Sequence, residues 1–106
     1  MKPGRLASTA LAVVFLSMIV PARAATIEIT MENLVISPAE VSAKVGDTIT
    51  WVNQDTVPHT VTARDKSFNL AVDRGAHAQM TLSKAGNFLF YCLYHPMMRG
   101  ALKVAP

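Results

Sequence analysis

The sequence predicts a small all-β sandwich. Three observations carry that expectation. Short segments alternate apolar and polar residues at period two, the spacing that sets one face of a strand on a core and the other in water. Clusters of Gly, Pro, Asn and Asp separate these segments. From residue 25 onward, no segment sustains the 3.6-residue period of an amphipathic helix. About seven short strands at this spacing pack as two layers.

Taken in order, residues 26–31 (TIEITM) alternate cleanly and open the domain as a strand. Residues 33–37 read as a connection that Pro38 ends. Residues 40–45 alternate again, and Gly46-Asp47 is a turn pair. Residues 48–52 (TITWV) are β-branched and aromatic, as strands prefer. Residues 53–58 form a polar loop, and residues 60–63 a short strand. Residues 65–75 are the least regular stretch, with room for a short edge segment or a turn of helix. Residues 77–82 alternate, residues 84–87 turn, residues 88–92 (FLFYC) form a strongly apolar strand, and residues 100–104 close the chain. Trp51, Phe88 and Phe90 are core residues in this scheme, and Asp55, Asp65 and Asp73 are loop and turn formers.

The N-terminus has a different character. Lys2 and Arg5 precede 15 uncharged, mostly apolar residues, 6–20, and Pro21-Ala22-Arg23-Ala24-Ala25 follows. A basic start, a short apolar run and a small-x-small end make a secretory signal peptide over residues 1–24, cut after Ala24. The run falls short of the roughly 20 residues of a spanning helix, so a retained anchor is the lesser alternative. Cleavage takes three of the ten basic residues and none of the seven acidic ones, which leaves a mature domain of residues 25–106 with no net charge. No basic run survives to bind nucleic acid. The mature chain has no further segment for membrane insertion, and its expected place is the periplasm.

A domain of this size often relies on a disulfide or a metal to supplement its core. Cys92 is the one cysteine, so no internal disulfide can form. Its context is Cys92-Leu93-Tyr94-His95-Pro96-Met97-Met98, with Cys92, His95 and Met98 at a spacing of three. A four-residue β-turn brings its ends within about 7 Å, and Pro96 occupies a favoured turn position. Two such turns in succession would aim the three side chains at one point. A fourth ligand must come from elsewhere, and His59 in Val57-Pro58-His59 is the candidate. Met97 is the rival to Met98, and His77 lies on an alternating face turned to solvent.

Two imidazoles, one thiolate and one weak axial thioether are the ligand set of a blue-copper electron-transfer site. Soft sulfur suits Cu(I) and imidazole suits Cu(II), so the mixture lets the ion change charge with little rearrangement. Structural zinc draws on Cys, His, Asp and Glu and not on thioether. No Ser/His/Asp order, Gly-rich phosphate loop or HExxH is present.

At these residues the chain resembles the cupredoxin family, and within it the small blue copper proteins of the amicyanin and pseudoazurin type. The matching pieces are Val57-Pro58-His59, the run from Gly86 through Cys92, and Cys92-x-x-His95-Pro96-x-Met98-x-Gly100. The resemblance implies a Greek-key sandwich, one type 1 copper held by His59, Cys92, His95 and Met98, and one-electron carriage rather than enzymatic turnover. It implies redox partner proteins, a dehydrogenase and a c-type cytochrome, docking on an apolar patch of Pro58, Pro96 and Met97 around His95 of a monomer. Copper buffering or delivery is the alternative function. Many members carry Asn after the first histidine; Thr60 stands here, and its hydroxyl would have to bind the two ligand loops together.

Overall fold

The computed structural model describes Gly4, residues 10–14 and residues 23–106. The signal peptide expected over residues 1–24 falls largely outside the described residues. Among the described residues no helix is long and apolar enough to cross a membrane.

Among the described residues, nine strands make two sheets. They are β1 (Thr26–Glu32), β2 (Val35–Ser37), β3 (Glu40–Lys44), β4 (Thr48–Asn53), β5 (His59–Ala63), β6 (Asn69–Val72), β7 (His77–Thr81), β8 (Gly86–Tyr91) and β9 (Arg99–Ala105). One sheet has the order β2-β1-β4-β7 and the other β3-β9-β8-β5-β6. The pairs β1–β4 and β3–β9 are parallel, so the chain must cross between the layers to make them. This is the all-β sandwich that the alternation predicts.

Two strands exceed the expected seven. β2 and β6 each lie at the edge of a sheet and are three and four residues long. Segments this short show too few alternations to register as periodic. The irregular stretch after Ala63 therefore resolves to an edge strand, not to a helical turn.

Period two builds the core directly. Ile29 and Met31 from β1 and Ile49 and Trp51 from β4 are buried from one sheet, and Phe88 and Phe90 from β8 of the other. Trp51 meets Phe90 edge to face at 5.0 Å between ring centroids, a favoured aromatic geometry. His77, Gln79 and Thr81 are exposed on β7, as their shared face requires.

One glycine is set by space. A Cβ on Gly100 would lie 2.5 Å from the Ala39 carbonyl oxygen and 2.5 Å from the Phe90 ring. Only glycine lets β9 start this close to both. That approach delivers the chain out of Met98 into the sheet directly beneath the ligand loop.

Candidate metal centre

The strand order decides which residues meet. β5 and β8 are antiparallel neighbours, in register at Thr62↔Tyr91 and Ala63↔Phe90. The start of β5 therefore lies beside the end of β8, and His59 comes alongside Cys92. On β5, His59 shares the inward face of Val61 and Ala63, and all three are buried. Continuing the inward face of Phe88 and Phe90, Cys92 is fully buried just past β8.

The segment after Cys92 folds back on itself. The Met98 N–H donates to the His95 carbonyl at 2.8 Å, closing a β-turn over Pro96 and Met97. The Cys92 N–H donates to the Met98 carbonyl at 2.9 Å and seals the whole loop. Of the two expected turns, the second is hydrogen-bonded, while residues 93–94 form a bend. The loop closure does the work that a second turn would have done.

Cys92 Sγ lies 3.7 Å from His59 Nδ1 and 4.0 Å from His95 Nδ1. The three atoms fall within 4.8 Å of one another. The rings of His59 and His95 stand 77° apart in plane with centroids at 5.2 Å. An ion bonded at about 2.1 Å to nitrogen and about 2.3 Å to sulfur at trigonal angles would hold N and S about 3.8 Å apart. The two observed separations bracket that figure. Met98 is buried in the same core cluster as Cys92, whereas Met97 is 68% exposed. His77 is exposed, apart from the cluster.

Residues 5–104 match the family of cupredoxin-like domains. The chain belongs to that family. It is 34% identical to the amicyanin of Paracoccus denitrificans over 71 residues, 61% of this chain and 54% of the relative. Against the amicyanin of Paracoccus versutus it is 34% identical over 92 residues, 80% of this chain and 67% of the relative. The chain thus spans about half the length of the first of these and two thirds of the second. The crystal structure of the versutus protein superposes with a TM-score of 0.66 at 30% identity, over 80% of this chain and 84% of that one. A purple cupredoxin from Nitrosopumilus maritimus superposes at 0.67 with 26% identity, over 74% of this chain and 99% of that one.

In this cupredoxin the donor chemistry fits one type 1 copper, with soft and borderline ligands in a trigonal set. Two further side chains shape the set. Asp55, read from sequence as a turn former, reaches the far nitrogen of a ring that faces the cluster. Its Oδ2 lies 2.7 Å from His59 Nε2. A carboxylate only accepts, so Nε2 carries the hydrogen and the Nδ1 lone pair faces Cys92. Asp55 is itself held by the N–H groups of Asn33 and Leu34, at 2.6 and 3.1 Å. Those two residues form the β1–β2 turn at φ of 54° and 61°. Partial burial pushes the Asp55 carboxyl up. The His59 imidazole and the two turn N–H groups outweigh this and hold it below its ordinary value. The sequence signal was slight: an acid four residues before a histidine in a loop.

Thr60 joins the two ligand segments. Its N–H donates to Cys92 Sγ at 3.4 Å, and its Oγ1 accepts the Leu93 N–H at 2.8 Å. The hydroxyl thus makes the link that the sequence required of it. Asp65 and Asp73 cap their own turns, through the N–H groups of Ser67 and Arg74.

The surface over the site is apolar. His95 is half-buried, and Pro58, Leu93, Pro96 and Met97 beside the ligands are exposed. Tyr94, in the bend between Cys92 and His95, is 61% exposed.

Proposed function

We propose that this chain is a mononuclear type 1 copper protein carrying single electrons between redox partner proteins. The convergence of His59 Nδ1, Cys92 Sγ and His95 Nδ1 within 4.8 Å carries the reading. His59, Cys92, His95 and Met98 are the residues that would hold the ion. The bound ion supplies a one-electron Cu(II)/Cu(I) couple.

The protein's own groups do the rest. Asp55 holds the His59 ring in one tautomer and one orientation. Burial of Cys92, His59 and Met98 keeps water from the sulfur ligands. The tight loop and the Thr60 bridge keep the donors in place whichever charge the ion carries. Four protein donors leave no coordination position for a substrate, so the function is carriage and not turnover. Electrons pass at the His95 edge, where Pro58, Pro96 and Met97 offer an apolar surface for brief docking of small area. The partners are a dehydrogenase as donor and a c-type cytochrome as acceptor. Residues 1–24 are a signal peptide, and residues 25–106 act as a monomer in the periplasm.

The test is a visible and paramagnetic-resonance spectrum of the copper-loaded protein. Intense thiolate-to-copper absorption is expected, together with its loss in Cys92→Ser. A serine variant that stays coloured refutes the ligand assignment. A reversible one-electron wave in voltammetry supports carriage. Ready release of copper to a chelator without such a wave would instead favour buffering or delivery.

A further inference from the structure

Thr60 is not the end of its hydrogen-bond chain. Thr60 and Thr62 lie two residues apart on β5, so their side chains leave the same face of the strand. Their Oγ1 atoms are 3.0 Å apart, and both residues are buried. Thr62 Oγ1 in turn donates to Asn69 Oδ1 at 2.8 Å, across the β5–β6 pair where the two residues are in register. Asn69 is exposed at the sheet edge.

Proton counting gives this chain a direction. Each hydroxyl carries one hydrogen, and an amide oxygen carries none. Thr62 spends its hydrogen on Asn69, so toward Thr60 it can only accept. Thr60 spends its own hydrogen on Thr62, so it turns a lone pair to the Leu93 N–H. The order is Leu93 N–H to Thr60, Thr60 to Thr62, Thr62 to Asn69. With Thr62 removed, the Thr60 hydrogen would be buried without a partner, and the hydroxyl would lose the reason for its orientation.

We propose that Thr62 is a positioning residue of the copper centre, acting through the Thr60 hydroxyl on the peptide between Cys92 and Leu93. The inference rests on the copper reading above. Among the described residues, the side-chain hydrogen bonds of Thr62 go to Thr60 and Asn69 and to none of the four ligands. Its effect reaches them because Thr60 makes two bonds to the ligand segment at once, one to the Leu93 N–H and one to the Cys92 sulfur. Among the described residues the Thr60 N–H is the one backbone donor at that sulfur. Hydrogen bonding at the cysteine sulfur is one of the terms that set the potential of such a centre.

The experiment uses Thr62→Val, which keeps the β-branched shape and removes the hydroxyl, and Thr62→Ser, which returns the hydroxyl. Amide hydrogen exchange is measured on the copper-free full chain, and the reduction potential and copper hyperfine splitting on the loaded one. Thr62→Val is expected to speed exchange at Leu93 roughly tenfold relative to Phe90 and Leu102, the effect of losing one buried hydrogen bond. It is also expected to shift the potential and the splitting, and Thr62→Ser to restore all three. Unchanged Leu93 exchange overturns the proposal. So does uniform acceleration of all core amides, which would mean a general loss of stability. Altered exchange with an unmoved potential and splitting overturns it too, since the relay would then be structural only. A parent chain that shows no type 1 spectrum refutes the copper reading separately, and the Leu93 exchange still tests the relay.

Discussion

Replacing Asp55 by Asn probes the link between the β1–β2 turn and the metal centre. The carboxylate serves three donors: Asn33 N–H at 2.6 Å, Leu34 N–H at 3.1 Å and His59 Nε2 at 2.7 Å. Asparagine offers one oxygen and one NH₂ group. With its oxygen in place of Oδ2 it keeps Leu34 and His59 but sets NH₂ against the Asn33 N–H. Turned the other way, it loses both Leu34 and His59. The better choice still costs one charge-assisted bond and weakens two others from ionic to neutral. At about 1.5–3 kcal/mol for a hydrogen bond to a charged group, the copper-free protein should lose about 2–4 kcal/mol. For a domain this small, each kcal/mol moves the melting point by about 4–8 °C. Copper affinity should fall about 10–100-fold, as expected when the partner of a ligating histidine is lost. Urea unfolding of the copper-free chain and chelator competition for copper measure the two effects. A variant within 0.5 kcal/mol of the parent (about the scatter of a neutral surface change) and within about twofold in copper affinity refutes the reasoning.

Three further outcomes follow from the same geometry. The Lys44 ammonium, with the N–H groups of Ala25 and Lys44, holds the Asp47 carboxyl down at about 2 from 3.8. A carboxyl lowered in the folded state stabilises it fully above pH 3.8. That contribution should fade as pH falls toward 2, and Asp47→Asn should flatten this part of the stability–pH curve. Gly100→Ala should cost about 1–3 kcal/mol by overpacking, because the Ala39 carbonyl 2.5 Å from the new methyl is backbone and cannot turn aside; thermal melts would show it. Met98→Ala should shift the reduction potential, while Met97→Ala should leave it unchanged, since Met97 is 68% exposed and Met98 is buried; voltammetry of both variants checks the axial assignment.

Much of this protein was legible in one dimension, and the reason is locality. Strands such as β4 and β8 carry their own signal, β-branched and aromatic in the first and strongly apolar in the second, so their core residues Trp51 and Phe90 could be named in advance. Cys92, His95 and Met98 lie within seven residues, and the loop that gathers them is closed by bonds within those same residues. Edge strand β2 was missed, and β6 was left open against a helical turn, because a three- or four-residue strand is defined by the neighbour it pairs with, not by its own pattern.

What the amino-acid order alone determined was the class of fold, the sulfur-and-imidazole chemistry and the short ligand loop. What tertiary structure decided was the meeting of His59 with Cys92 across 33 residues, through the antiparallel pairing of β5 with β8. It also decided that Asp55 faces an imidazole and that Thr60 bridges the ligand segments. The His59–Cys92 and Thr60–Leu93 contacts join distant parts of the chain, and Asp55, four residues from His59, is held against it by the distant N–H groups of Asn33 and Leu34. No residue type or spacing encodes such a contact until strands far apart in sequence have paired within one sheet and set which strand ends lie side by side.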